Sequence, residues 1–130
     1  MNTQSEASIR RMARAYLVAA FFTADDELVP KGPGEFQPRP WLKRASESMK
    51  DEALAVCRDF AAAHQEELGR IDRRDAGECL WFSRNGDGTG FFDCESVREE
   101  HRETLQNAAL ALGPRRIIAT AEAEYDFDLG

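Results

Sequence analysis

One stretch of the sequence decides the fold that we predict: Gly77-Glu78-Cys79-Leu80-Trp81-Phe82-Ser83-Arg84-Asn85-Gly86-Asp87-Gly88-Thr89-Gly90-Phe91-Phe92-Asp93. Its two ends are rich in aromatic residues and its middle is rich in glycine. Asparagine, aspartate and glycine tolerate the positive φ angles that tight turns require. The stretch therefore predicts a β-hairpin, in which strands over 79–84 and 91–93 are joined by a glycine-rich turn over 85–90.

Apolar residues at spacings of three and four predict three helices around this hairpin. The first ends near Phe22, the second runs from about Ser46 to Leu68, and the third ends before Gly113. Two pairs of residues have the spacing of a capping box, which satisfies the exposed backbone N–H groups of a first turn. These pairs mark the start of the first and third helices: Thr3 with Glu6, and Ser96 with Glu99.

Two short strands, Ile117 to Ala119 and Tyr125 to Phe127, are predicted to follow as a second hairpin. The predicted order is α-α-β-β-α-β-β. The predicted fold class is α+β, with a small antiparallel sheet of two β-hairpins packed on three helices. A length of 130 residues fits a single domain over 1–130. Four prolines predict a surface loop at about 23–44 within it.

Composition and charge argue against some classes of function. The formal net charge is −7, which argues against direct binding of nucleic acid, because such proteins normally present a basic face. The first residues contain no apolar stretch of a signal peptide, and the longest apolar run, Ala15 to Phe22, is too short to cross a bilayer. We therefore expect an intracellular protein that does not bind a membrane.

The stretch 77–93 resembles a family of small phage and prophage proteins. They share a glycine-led aromatic strand, an Arg-Asn-Gly turn, spaced glycines and an aromatic-Asp ending. The resemblance extends to Ala15–Asp26, Ala53–Leu68 and Leu105–Phe127. The family has no assigned activity, and it commonly has histidine where this chain has Glu78 and Asp87. The resemblance implies a mobile-element protein in the cytoplasm of a bacterial host.

Two groups of residues suggest a metal site, and both have a simpler explanation. Positions 85–96 have part of the pattern of a calcium loop, but Ser96 stands where a bidentate glutamate is needed. Cys57, His64 and His101 lie on the apolar stripes of helices, where buried cysteine and histidine are common. We predict no metal and no cofactor. A disulfide between Cys79 and Cys94, across the hairpin, is geometrically conceivable, and we keep it as an alternative.

The aromatic residues of the hairpin give the candidate binding surface. Alternation along a strand places Trp81 and Ser83 on one face and Leu80 and Phe82 on the other. Exposed aromatic residues beside arginine are typical of protein interfaces. The alternative is that another element covers them. The candidate partner-binding residues are Trp81, Arg84, Asn85, Asp87, Phe91, Phe92 and Asp93.

These observations lead to one functional hypothesis and two alternatives. The hypothesis is a phage- or prophage-encoded module that binds a host or phage protein, for example as an inhibitor of an antiviral defence system such as CRISPR. One alternative is a small enzyme that uses Arg84, Asn85 and Asp87. The other is a structural homo-oligomer, and a homodimer fits the open edges of a small sheet. No catalytic residues are predicted.

Overall fold

The structure, a computed structural model, describes residues 5–23, 45–86, 89–121 and 124–127. The described residues form five α-helices, a 3-10 turn and a two-stranded β-hairpin. In chain order these elements are α1 Glu6–Phe22, α2 Glu47–Ala63, α3 Gln65–Leu68, α4 Arg73–Asn85, the 3-10 turn Phe91–Asp93, α5 Glu99–Ala111, β1 Ile117–Ala121 and β2 Glu124–Phe127.

The predicted α+β fold with two hairpins is wrong, because the first predicted hairpin is not a hairpin. Residues 79–84 lie in α4, and residues 91–93 form the 3-10 turn. The Asp72 side chain accepts the backbone N–H of Arg74 and begins α4. Gly86, with φ 66°, ends it by donating its N–H to the carbonyls of Phe82 and Ser83. A left-handed glycine serves a helix end as well as a hairpin turn, so the Asn-Gly pair was ambiguous.

Helices α1 and α4 cross in direct backbone contact at Gly77. A Cβ atom at this position would collide with the carbonyl oxygen of Met12 and would lie 3.0 Å from the backbone nitrogen of Tyr16. Only glycine lets the two helices approach this closely. This crossing places the C-terminal half of α4 inside the molecule.

Three aromatic rings join α1, α4 and β2 in the core. The ring centroids of Tyr16 and Trp81 lie 5.2 Å apart, edge to face. Phe127 stacks on Trp81 at 5.9 Å and lies 6.3 Å from Tyr16. Other fully buried large side chains come from all parts of the described chain: Ile9, Met12, Phe21, Met49, Leu68, Leu80, Phe91, Val97 and Leu105.

The remaining elements differ from the predictions at their ends. His64 leaves the helical conformation and divides the predicted second helix into α2 and α3. Arg98, not Ser96, precedes α5 and makes no side-chain cap. Ser5 caps α1 by accepting the backbone N–H of Ser8. Thr3 and residues 24–44 of the predicted loop lie outside the described residues.

Strands β1 and β2 pair antiparallel, with Ile117 opposite Phe127 and an irregularity between Ala119 and Ala121. They lie where two closing strands were predicted, and they form a hairpin of their own rather than part of a larger sheet. Among the described helices, none is both long and apolar enough to cross a membrane.

Candidate functional site

Arg84 is buried and joins three parts of the fold. Its Nε donates to the carbonyl of Gly113 at 2.7 Å, and its Nη2 donates to the carbonyl of Leu112 at 2.9 Å. Its Nη1 donates to the Tyr16 hydroxyl at 2.9 Å. The guanidinium therefore satisfies carbonyls just beyond α5, where the negative end of the helix dipole favours a cation.

Tyr16 receives its hydrogen bond from Arg84 inside the core. Burial raises the pKa of the Tyr16 hydroxyl to about 12, although the nearby Arg84 charge acts in the opposite direction. The hydroxyl is thus uncharged at neutral pH. This pairing holds α1 to α4 and stabilises the fold.

Asn85 and Arg115 fasten the segment after α5. The Asn85 amide nitrogen donates to the carbonyl of Trp81, and its Oδ1 accepts the backbone N–H of Arg115 at 2.8 Å. The Arg115 side chain pairs with Glu52 at 2.8 Å and lies over the Phe127 ring at 5.2 Å. Both polar ends of Asn85 are therefore used within the fold.

Ser83 and Gln106 hold the 3-10 turn against α4 and α5. The Ser83 hydroxyl donates to the Gln106 side-chain oxygen at 2.8 Å and accepts the backbone N–H of Phe91 at 2.9 Å. The same Gln106 oxygen accepts the backbone N–H of Phe92 at 3.3 Å. This arrangement turns the two adjacent phenylalanines in opposite directions.

The candidate binding residues consequently do not share one face. Trp81 is 2% exposed, Arg84 is 6% exposed and Phe91 is fully buried, so the predicted exposed face carrying Trp81 is not formed. Asn85 is half-buried, and Asp87 lies outside the described residues. Phe92 and Asp93 are exposed, and Asp93 accepts the backbone N–H of Gly90.

Phe92 and Leu110 are two of the four large apolar side chains that are exposed in the described residues, with Phe22 and Leu112, and we call these two the Phe92 surface. Phe92 is 48% exposed and Leu110 is 46% exposed. The backbone of Phe92 is bonded to Gln106, and Leu110 follows Gln106 by one turn on the same side of α5. Leu110 was not among the predicted binding residues. One sequence signal could have identified it, because Leu110 is a large apolar residue that lies off the buried stripe of its helix.

The segment that carries the Phe92 surface is acidic. Residues 92–110 contain five carboxylates and two arginines, a formal net charge of −3. One arginine, Arg98, lies 3.7 Å from Glu100, and the other, Arg102, donates to the Val97 carbonyl. All of the carboxylates are exposed: Asp93, Glu95, Glu99, Glu100 and Glu103.

A cleft of about 450 Å³ lies elsewhere, between the turn that joins α3 to α4 and the segment after the 3-10 turn. Glu67, Arg70, Asp75 and Arg98 are among its lining residues, whereas Arg84 and Asn85 are not. Two of the three residues proposed for an enzyme are therefore not at this cleft, and the third, Asp87, lies outside the described residues. In the described part of the chain, no three histidine, cysteine or acidic side chains converge as metal ligands would.

Comparison with family models, curated proteins and solved structures finds no match to this chain. The resemblance of residues 77–93 to phage and prophage proteins therefore stays a prediction.

Proposed function

We propose that this chain is a protein-binding module that docks on a basic surface of its partner through the Phe92 surface. The observation that supports this proposal is an exposed aromatic residue on an acidic segment, with its backbone held in a bonded 3-10 turn. Such a residue loses little conformational entropy on binding, because its backbone is already held. Aromatic anchors in the centre of an interface typically contribute most of its affinity.

The charge around the Phe92 surface favours a basic partner. A net charge of −3 over residues 92–110 attracts a positive surface during approach and disfavours an acidic one. Basic protein surfaces are commonly those that bind nucleic acid phosphates. Carboxylates placed on such a surface compete with the phosphates, and this supports the hypothesis of an inhibitor that acts on a nucleic-acid-binding defence complex of the host, such as CRISPR.

The two alternatives are less well supported. An enzyme that uses Arg84 and Asn85 would need these side chains at a cleft, but both are bonded within the fold. A homo-oligomer through the Phe92 surface would bring two acidic patches together, and like charges at an interface weaken association. We retain the homo-oligomer as an outcome of the experiment below.

The experiment compares three tagged proteins expressed in a bacterial host: wild type, the Phe92→Glu/Leu110→Glu variant, and an Ala55→Glu/Ala62→Glu control. The control adds the same charge at exposed positions on α2. Cross-linked partners are isolated, identified and quantified by mass spectrometry. We expect wild type and control to enrich the same basic protein. The Phe92 variant should recover at least about tenfold less of that protein, because an interface anchor contributes about 2 kcal/mol to the binding free energy.

Three results would contradict the proposal: equal enrichment by the Phe92 variant, an acidic partner, or recovery of this chain alone. The last result would instead favour the homo-oligomer. Far-UV circular dichroism of each variant checks that the helices are intact. A plating assay on a host with active CRISPR immunity tests the inhibitor hypothesis, in which wild type and control rescue phage growth and the Phe92 variant does not.

A further inference from the structure

Two cysteines lie against each other where α4 meets the 3-10 turn. Cys79 is on α4, one turn before Ser83, whose hydroxyl accepts the backbone N–H of Phe91. Cys94 follows the 3-10 turn directly and donates its backbone N–H to the Phe91 carbonyl at 3.2 Å. Both side chains are half-buried against the core, and the Cys94 thiol is close enough to that of Cys79 to interact with it electrostatically.

We propose that Cys79 and Cys94 form a reversible disulfide within the chain, which fastens the 3-10 turn to α4. The two cysteines lie on parts of the fold that the Ser83–Phe91 hydrogen bond already holds together, so the disulfide would join neighbouring elements. Their partial exposure admits a small oxidant. The third cysteine, Cys57, is fully buried in the core and is not part of this pair.

The oxidant that we assign is a small-molecule disulfide such as oxidised glutathione. One cysteine thiolate attacks a glutathione sulfur, forms a mixed disulfide and releases one glutathione thiolate, which takes up a proton. The second cysteine loses its proton and attacks the protein sulfur of the mixed disulfide, which releases the second glutathione. The two cysteines together lose two protons and two electrons, and the oxidant is reduced to two thiols.

The surroundings of Cys79 make this exchange slow at neutral pH. Burial raises the pKa of the Cys79 thiol, and the Cys94 thiol and the Asp75 and Glu78 carboxylates raise it further. Little thiolate is present as a result, and thiolate is the reactive form. The experiment is therefore run to equilibrium at mildly alkaline pH.

The test uses a Cys57→Ala protein, in which only the proposed pair of cysteines is left. The protein is equilibrated with oxidised glutathione, free thiols are alkylated, and trypsin cleaves after Arg74, Arg84 and Arg98. The two cysteines then lie on different peptides, 75–84 and 85–98. We expect these peptides to be joined by a disulfide in the monomeric protein, and dithiothreitol to restore both thiols.

The melting temperature measures whether the bond fastens the fold. Closing a loop of this length restricts the unfolded chain, so we expect the oxidised protein to melt about 5–10 °C above the reduced one. A matched Cys57→Ala/Cys94→Ser protein, treated in the same way, should show no such rise.

Other products would overturn the proposal: two separately alkylated cysteines, stable glutathione adducts, or disulfides that join two chains. A cross-linked monomer whose melting temperature is unchanged or lower would overturn the claim that the bond fastens the turn. None of these readouts depends on a partner at the Phe92 surface, so this proposal and the proposed function can fail separately.

Discussion

Arg84 shows how one buried charge is satisfied in this fold. Its guanidinium is 6% exposed and donates to two main-chain carbonyls and one hydroxyl. A planar group with several donors can reach all three acceptors at once, which an ammonium group on a flexible stem cannot. Removal of this side chain would leave the buried Tyr16 hydroxyl and the part-buried carbonyls of Leu112 and Gly113 without this donor.

We therefore expect Arg84→Ala to lower the free energy of unfolding by about 2–4 kcal/mol, since buried polar groups left unpaired are costly. Arg84→Lys should recover only part of this loss. Urea unfolding followed by circular dichroism measures both variants. Arg10→Ala is the control, because the Arg10 side chain is 69% exposed and lies 3.5 Å from Glu6, and its effect should stay within about 0.5 kcal/mol. An Arg84→Ala protein as stable as this control would contradict the role assigned to Arg84.

Tyr16 predicts a loss of stability at high pH. Its pKa is about 12 in the folded chain, against an ordinary value of 10.0 for tyrosine, so the folded state keeps a proton that the unfolded state releases. The contribution of the hydroxyl to the free energy of unfolding is fully present below about pH 10 and is lost as the pH rises towards 12. Urea unfolding from about pH 9 to 11.5 should show the stability difference between wild type and Tyr16→Phe declining. A difference that stays constant over this range would refute the assignment.

Helix α4 explains where sequence reasoning succeeded and where it did not. The periods of three and four placed α1, α2 and α5 near their observed positions, because each buries a continuous apolar stripe. Residues 79–84 were assigned to a strand because aromatic residues and the nearby glycines mask the helical period of α4. The buried residues of α4 do recur at helical spacing, but four of the six are small or polar: Ala76, Gly77, Ser83 and Arg84, beside Leu80 and Trp81.

The candidate binding residues were misplaced for the same reason. Alternation along a strand puts Trp81 on an outer face, whereas a helix puts it on the same side as Gly77 and Arg84, towards α1. Phe91 and Phe92 were predicted together, and the structure separates them through one hydrogen bond to Ser83. No local pattern encodes such a long-range contact. Phe92 and Asp93 are the predicted residues that the structure leaves exposed, and Asp87 is not described.

The crossing of α1 and α4 predicts an unusual response to Gly77→Ala. Alanine normally stabilises a helix interior relative to glycine by about 0.5–1 kcal/mol. Here the added Cβ meets the Met12 carbonyl, so we expect a loss of about 2–4 kcal/mol instead. Gly113→Ala is the matched control, because its φ is 83° but nothing lies within 4 Å of the added atom. Its strain should cost about 1–2 kcal/mol.

Both glycine variants are compared with wild type by urea unfolding. The order of stability should be wild type, then Gly113→Ala, then Gly77→Ala. A Gly77→Ala protein more stable than wild type would mean that the helices do not touch at this point.

Net charge governs the response of the whole molecule to salt. A formal charge of −7 destabilises the compact state through repulsion, while the exposed ion pairs, such as Arg58 with Glu6, contribute little. Raising the ionic strength from about 0.01 M to about 0.15 M shortens the Debye length from about 30 Å to about 8 Å. We expect the melting temperature to rise by about 2–4 °C over this range. A decrease would show that the ion pairs outweigh the repulsion.

The bonds of Arg84 also bear on how the chain folds during synthesis. Helix α4 is complete once residue 86 has been made, but the carbonyls that its arginine needs come from residues 112 and 113, and the ring that stacks on Trp81 comes from residue 127. In a nascent chain on the ribosome, the Trp81 indole therefore stays exposed until residue 127 has emerged. The Arg84 guanidinium likewise lacks these two carbonyl acceptors until residues 112 and 113 have emerged. In this interval chaperones and proteases have their best access to α4.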